Sequence, residues 1–249
     1  MTETVSDKRV VRVLTTVWTD PARVRDIDAA AVADEPDLAG WAAGLDTEGR
    51  LDLHGRTVTQ ALPGEPVLVD SESDGWAAVV LPWQPSALDP RGYPGWVRSA
   101  HLCAGDPGDL AAAVLLPDGA SVEGGDSGAA LVATARSFLG LDYLWAGFTG
   151  YGVDCSGLVS LTYRSHGVLI PRDAHDQAVA GERVELDALR GGDLVFFGEN
   201  DGRGPIHHVG MAVGDGTMLH SPRTGRQVEF CPLNMPGYAE ELCAARRYI

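Results

Sequence analysis

Short apolar runs at residues 10–18 and from Arg56 onward favour strands in the first hundred residues, with a stretch of helical character between them. Residues 10–18 are largely apolar and β-branched and predict a strand, which Asp20-Pro21 ends. Residues 22–46 are rich in Ala and Asp and favour one or two short helices. From Arg56 to about residue 105, short β-type runs alternate with turns that contain Gly and Pro. Many short strands with such turns predict a small β-barrel.

The pattern changes after residues 106–128, where Gly, Asp, Pro and Ala predict a linker. Apolar residues then recur at helical spacing from Ala129 to Leu139. Further elements are predicted by their apolar runs: a helix after Asp154, and strands at Leu194–Phe197, His208–Val213 and Met218–His220. We therefore predict an N-terminal region (1–105, barrel core about 56–105), the linker, and an α+β domain over 129–249.

The helix after Asp154 carries the most informative chemistry. Its apolar residues cover most of its circumference, which predicts a helix buried on several sides. Asp154 is a natural N-cap, and Gly167 suits the C-terminal end. Cys155 therefore lies in the first turn, where free N–H groups and the helix dipole lower the pKa of a thiol. Free cysteines are usually small buried hydrophobes, but this position makes Cys155 our candidate nucleophile.

A nucleophilic thiol needs a base, and the base needs an orienting group. If residues 214–216 form a three-residue hairpin loop, Gly210 lies opposite His220. His208 then shares a sheet face with His220, about 7–8 Å away along the diagonal. A two-residue loop would place the two histidines on opposite faces. We predict that His208 is the base and that His220 fixes its tautomer.

Composition and charge limit the classes of binding partner, the compartment and the metal sites that can be expected. The net charge of −16 disfavours nucleic acids and other anionic polymers. No apolar run is long enough to span a membrane, and the N-terminus lacks the apolar core of a signal peptide. We therefore expect a cytoplasmic protein, or a secreted one if a leader was removed. The four cysteines form no C-x-x-C pair, so we expect no zinc site.

Several motifs occur in one order and spacing. The stretches are Asp154-Cys155-Ser156-Gly157-Leu158-Val159, Gly192-Asp193-Leu194-Val195-Phe196-Phe197, His208-Val209-Gly210-Met211 and Met218-Leu219-His220-Ser221-Pro222. Together they resemble the NlpC family of cell-wall cysteine peptidases over residues 129 to 249. The resemblance implies a papain-like fold, a triad of Cys155, His208 and His220, and no metal or cofactor. It also implies that Tyr143 and the Cys155 backbone N–H stabilise the oxyanion.

A finer resemblance concerns the substrate. The stretch Pro171-Arg172-Asp173-Ala174-x-Asp176-Gln177, with an SH3-like domain before it, is similar to γ-D-glutamyl-L-diamino-acid endopeptidases. The similarity implies that Glu65, Tyr93 and Asp173 bind the ammonium group of an N-terminal L-alanine. It places Asp154 and Ser156 beside the γ-D-glutamyl group. Soluble peptidoglycan stem peptides in cell-wall recycling are then the expected substrates.

Two other functions are compatible with these residues. The first is a non-catalytic module that binds the cell wall through its barrel. The second is an acyltransferase or amidase that acts on a different amide. The sequence leaves open the preferred diamino acid and the oligomeric state.

Overall fold

A computed structural model describes residues 7–119, 122 and 127–249. Residues 1–6, part of the N-terminus without a signal-peptide pattern, lie outside the described residues. So do residues 120–121 and 123–126 of the predicted linker. Among the described residues, no helix is both long enough and apolar enough to cross a membrane.

The N-terminal part is built on one seven-stranded antiparallel sheet. Its strands are β1 (Asp7–Val11), β2 (Thr15–Trp18), β3 (Thr57–Ala61), β4 (Pro66–Ser73), β5 (Trp76–Leu81), β6 (Tyr93–Arg98) and β7 (Leu102–Cys103). Their order in the sheet is β3-β2-β6-β5-β4-β1-β7. This sheet is consistent with the predicted SH3-like domain. The expected single strand over residues 10–18 is wrong: β1 pairs with β4 and β7, whereas β2 pairs with β3 and β6.

Two short helices lie within the Ala- and Asp-rich stretch over residues 22–46, as expected, and a third follows it. They are α1 (Ala29–Val32), α2 (Leu38–Gly44) and α3 (Thr47–Leu51). Asp37 and Asp46 cap α2 and α3 through their side chains. Trp41 packs with Trp18, Leu53 and Leu144, so this cluster joins the helices to both halves of the chain.

The C-terminal part packs helices against a six-stranded sheet. The helices are α4 (Gly128–Arg136), α5 (Cys155–Ser165), α6 (Ala174–Gln177), a helical turn α7 (Glu199–Gly202) and α8 (Tyr238–Glu241). The strands are the hairpin β8 (Phe148–Thr149) and β9 (Gly152–Val153), then β10 (Glu182–Arg183), β11 (Leu194–Gly198), β12 (Ile206–Gly214), β13 (Thr217–His220), β14 (Glu229–Pro232) and β15 (Leu242–Arg247). The sheet order is β10-β15-β11-β12-β13-β14. Helix α5 lies in the main core between the two parts.

The hairpin between β12 and β13 differs from the expectation. Gly214 pairs with Thr217, so the loop has two residues, Asp215 and Gly216, both with positive φ. The predicted three-residue loop is therefore wrong. However, Ala212 pairs with Met218, and Val213 is an extra residue in a bulge. Because of this extra residue, His208 and His220 lie on the same face of the sheet, whereas a regular two-residue hairpin would have placed them on opposite faces.

Candidate active site

Helix α5 begins at Cys155 because Asp154 caps it. The Asp154 side chain accepts a 2.6 Å hydrogen bond from the Gly157 N–H. The remaining residues of α5 are all buried, whereas Cys155 is partly exposed at the helix end. The backbone N–H groups of Val209 and Ser156 lie near enough to the thiol to lower its pKa. Val209 follows His208 directly in β12, so the thiol faces the strand that carries the predicted base.

The two predicted histidines lie side by side on one face of the C-terminal sheet. His208 Nε2 and His220 Nδ1 are 2.8 Å apart and share a hydrogen bond. Their rings meet edge to face, and the Tyr238 ring packs against both. His220 is completely buried, and His208 lines the same cavity as Cys155. Because Nε2 of His208 is hydrogen-bonded to His220, Nδ1 is the ring nitrogen that remains to accept a proton from the thiol.

Burial determines the charge of these groups in the resting protein. It raises the pKa of the Cys155 thiol to about 12; the Asp154 charge adds to this, and the N–H groups of Val209 and Ser156 oppose it. The expected lowering of the thiol pKa by the helix N-terminus is therefore wrong, because desolvation outweighs it. Burial also lowers the pKa of His208 well below its usual value, and the neighbouring His220 contributes. Both shifts favour a neutral thiol beside a neutral imidazole.

Tyr143 lines the same cavity and is itself largely buried. Burial raises the pKa of its phenol, and the Cys155 charge adds to the shift, so the hydroxyl remains protonated. The Tyr143 N–H donates to the Arg226 carbonyl, which fixes the backbone. Within the part of the chain that the structure describes, the phenolic hydroxyl itself has no hydrogen-bond partner. It is therefore a free donor in the cavity.

Asp173 and Tyr93 meet at the cavity across the boundary between the two parts. The Tyr93 hydroxyl donates a 2.9 Å hydrogen bond to Asp173 Oδ2. Burial raises the pKa of the Asp173 carboxyl, and the Arg172 charge and the Tyr93 hydrogen bond oppose this. A partly desolvated carboxylate of this kind gains from a cationic partner.

Asp154 and Ser156 also line the cavity, but Arg172 engages both. The Arg172 guanidinium lies 2.7 Å from Asp154 Oδ2 and donates a 2.8 Å hydrogen bond to Ser156 Oγ. It also donates to Thr59 of the N-terminal sheet. Sequence reasoning missed Arg172 as a site residue, although it precedes Asp173 in the motif quoted above. Its buried guanidinium holds Asp154 and Ser156 in place beside the cavity.

Glu65 is not part of the cavity. Its side chain is 0% exposed, and it accepts hydrogen bonds from the Leu62 N–H and from Gln84 and pairs with Arg164 at 3.0 Å. The implied role of Glu65 in binding an ammonium group is therefore wrong. The Glu65 carboxylate already has its partners in a buried network of hydrogen bonds that joins the N-terminal part to α5.

The cavity has a volume of about 1140 Å³ and lies between the two parts of the chain. One wall carries His54 stacked on Trp145 at 3.7 Å between ring centroids, a pair that no motif indicated. Glu229, which sequence reasoning also missed, lines the same cavity. Among the described residues, Asp173, His175 and Asp176 place potential cation ligands within 4.8 Å of one another. Both carboxylates already accept hydrogen bonds from the protein, from Tyr93 and from the Ala87 N–H.

Comparisons with known proteins agree with this geometry. Residues 140–247 match the NlpC/P60 family. A γ-D-glutamyl-L-lysine dipeptidyl-peptidase from Bacillus subtilis is 36% identical over 96% of this chain and 97% of its own length. A protein of the same name from Bacillus cereus is 34% identical over 94% of this chain and 88% of its own length. A crystal structure of an NlpC/P60 family protein from Bacillus cereus superposes with a TM-score of 0.87, at 31% identity and over 97% and 99% of the two chains.

These similarities cover nearly the whole chain and therefore extend over both of its parts. The resemblance inferred from the motifs and the predicted α+β fold class are both confirmed. The chain belongs to the NlpC/P60 family and is a cysteine peptidase.

Proposed function

We propose that this peptidase hydrolyses the γ-D-glutamyl-L-diamino-acid bond of peptidoglycan stem peptides that begin with a free L-alanine. One observation carries the proposal: the hydrogen-bonded pair of partly buried Asp173 and buried Tyr93 lies in the same cavity as Cys155 and His208. The relatives from two Bacillus species are named for the same kind of bond. Peptidoglycan peptides are therefore the substrate class that best fits this cavity.

The substrate ammonium group binds at Asp173. The Tyr93 hydroxyl orients one carboxylate oxygen and leaves the other to accept from the ammonium group. Such a charge-assisted bond in a desolvated site is strong, and an acylated amine cannot make it. Asp154 and Ser156, both held by Arg172, line the path from this end of the cavity to the thiol. The dipeptide L-Ala-γ-D-Glu fills this side, and the diamino acid leaves from the other.

The first half of the reaction forms a thioester. Cys155 Sγ attacks the γ-carbonyl carbon of D-glutamate, and its proton moves to His208 Nδ1. The Tyr143 hydroxyl and the Cys155 N–H donate to the developing oxyanion. His208 then gives the proton to the leaving nitrogen, the C–N bond breaks, and the diamino acid departs.

The second half returns the enzyme to its resting state. A water molecule enters the place of the amine, and His208 accepts one of its protons while the oxygen attacks the thioester carbon. The C–S bond breaks, and the proton passes from His208 back to Sγ. Neutral resting groups suit this cycle, because a neutral imidazole can accept the proton at once. Among the described residues, no other imidazole lines the cavity together with Cys155 and also bonds to a second histidine.

Small released peptides fit the proposal better than intact wall. The charge of −16 repels anionic wall polymers, and the ammonium pocket selects peptides whose N-terminus has been freed. We therefore propose a role in cell-wall recycling, with a cytoplasmic site of action as predicted from the sequence.

Defined peptides test the proposed specificity. L-Ala-γ-D-Glu-L-Lys and its diaminopimelate analogue should be cleaved at the γ-bond, and N-acetylation should lower kcat/KM about a hundredfold or more. Asp173→Asn should remove most of this preference by slowing only the free peptide, whereas His175→Ala, an exposed neighbour, should retain it. Equal rates on free and acetylated peptides would contradict the ammonium pocket. Cys155→Ala should be inactive on every peptide.

The same assay separates hydrolysis from acyl transfer. With an added amine in millimolar amounts, an acyltransferase would give mainly the new amide, detected by mass spectrometry. We expect free L-Ala-γ-D-Glu as the main product, because water has access to the open cavity.

A further inference from the structure

A carboxylate lies directly behind the imidazole pair. His220 in β13 pairs with Glu229 in β14, and His220 Nε2 is 3.8 Å from Glu229 Oε1. This nitrogen is buried and, among the described residues, has no hydrogen-bond partner. A buried N–H without an acceptor destabilises the folded protein. Glu229 would satisfy it after a movement of about 0.9 Å, which brings the pair to normal hydrogen-bond distance.

The identity of this neighbour decides between two tautomers. In the productive arrangement His208 Nε2–H donates to His220 Nδ1, so the proton of His220 is on Nε2 and points at the carboxylate. In the reverse arrangement His220 Nδ1–H donates to His208, and the Nε2 lone pair faces a negative charge. The second arrangement is electrostatically unfavourable. It also places the proton of His208 on Nδ1, so that this nitrogen has no lone pair to accept the thiol proton.

Arg226 holds the carboxylate in place. It lies 2.7 Å from both oxygens of Glu229, and both side chains line the cavity. A carboxylate fixed by two hydrogen bonds at a strand edge presents its charge to His220 in one orientation. A row of neighbouring side chains thus leads from the Cys155 thiol through His208 and His220 to Glu229.

We propose that Glu229 is a positioning residue that selects the productive tautomer of the His208–His220 pair. The proposal rests on the proposed roles of Cys155 and His208. Glu229 acts through His220 and does not touch the substrate. A carboxylate at the end of a histidine chain holds the imidazole tautomer and stabilises its cation when the proton arrives.

Variants at Glu229 test this role against a matched control. Glu229→Ala should lower kcat about 10- to 100-fold with KM within about twofold, as for other orienting partners of histidines. Glu229→Gln can bond either tautomer and should show a smaller loss. Glu241→Gln removes a carboxylate that lies 3.2 Å from the half-exposed His207 on the same cavity wall. It should leave kcat within about twofold, and rates should be normalised to reactive thiol titrated per chain.

The pH profile adds a readout that mere loss of folded protein would not change. His220 is faced by His208 from β12, Glu229 from β14, Arg226 from the preceding loop and Tyr238 from α8; His207 also faces His208. Burial lowers the pKa of His220 to about 4; the Glu229 charge opposes this lowering, and the Arg226 charge adds to it. Glu229→Ala should therefore move the acid limb of kcat/KM to lower pH. An unchanged limb with unchanged kcat would overturn the proposal.

Nitrogen NMR in the inactive Cys155→Ala protein separates this proposal from the proposed function. We expect the His220 Nε2 signal at the position of a protonated nitrogen and Nδ1 at that of an unprotonated one. Glu229→Ala in this background should produce a mixture of tautomers, whereas Glu241→Gln should not. A pure and unchanged tautomer after Glu229→Ala would contradict the positioning role, whatever the natural substrate is.

Discussion

Single residues in this site derive their chemistry from burial more than from local secondary structure. The N-terminal position of Cys155 suggested a thiolate, but the desolvated thiol keeps its proton until the substrate arrives. His208 is likewise neutral because its pKa is lowered. A peptidase with such a pair forms its ion pair only as the reaction proceeds. The resting enzyme should therefore be less reactive to alkylating reagents than one with a preformed thiolate.

Alkylation by iodoacetamide measures this directly. A thiol becomes reactive as it loses its proton, and the pKa of Cys155 is raised to about 12. The rate at Cys155 should therefore rise about tenfold per pH unit between pH 6 and 9. Cys155→Ala reports the background from the other cysteines. A rate that is constant from pH 5 to 8 would instead indicate a stable thiolate–imidazolium pair.

Tyr143→Phe tests the free phenol as an oxyanion donor. The hydroxyl has no protein partner to lose among the described residues, so the melting temperature should change little. Removal of one oxyanion donor typically lowers kcat about 10²–10³-fold, and KM should be nearly unchanged. Tyr151→Phe, on the exposed turn between β8 and β9, is the matched control. A loss of stability together with a modest loss of kcat would point to a packing role for the Tyr143 hydroxyl.

At the scale of elements, the hairpin of β12 and β13 explains what sequence could predict and what it could not. Apolar runs located both strands, and the face shared by His208 and His220 was predicted correctly. The predicted loop length was wrong, because Asp215 and Gly216 both adopt the positive φ of a two-residue turn. Two deviations, the shorter loop and the bulge at Val213, cancel. Bulges depend on packing on both sides of a strand, which periodicity does not record.

Gly210→Ala tests how closely this hairpin is packed behind the histidines. A Cβ at Gly210 would lie 2.7 Å from the buried Met218 Sδ and 3.4 Å from His220 Cβ. Overpacking of this kind costs about 1–3 kcal/mol, and displacement of His220 should also lower kcat. Gly44→Ala in α2, where nothing lies within 4 Å, is the control and should not destabilise the protein. Denaturant unfolding and steady-state kinetics measure both effects.

At the scale of the whole molecule, the site exists because the N-terminal and C-terminal parts meet at one cavity. The N-terminal sheet supplies Tyr93 to the cavity, and the C-terminal part supplies Asp173, which receives its hydrogen bond. Sequence motifs identified both residues but gave Glu65 the same role. Motif spacing fixes position along the chain and does not fix where the side chain of a turn residue such as Glu65 points. Glu65 points to α5, where the buried charge of Arg164 receives it.

Glu65 and Tyr93 should therefore respond differently to substitution. Glu65→Gln leaves Arg164 buried without its counter-charge and should lower the free energy of unfolding by about 3–5 kcal/mol. The enzyme that remains folded should keep its KM and its preference for a free N-terminal amine. Tyr93→Phe removes only the hydrogen bond to Asp173, so KM for the free-amine peptide should rise while stability changes little. If Glu65→Gln instead raised KM selectively for free-amine peptides without destabilising the fold, Glu65 would belong to the substrate pocket. Urea unfolding, with kinetics on free and N-acetylated peptides, distinguishes the two results. The buried ion pair of Glu65 with Arg164 in α5 affects folding, whereas a contact with the substrate affects binding.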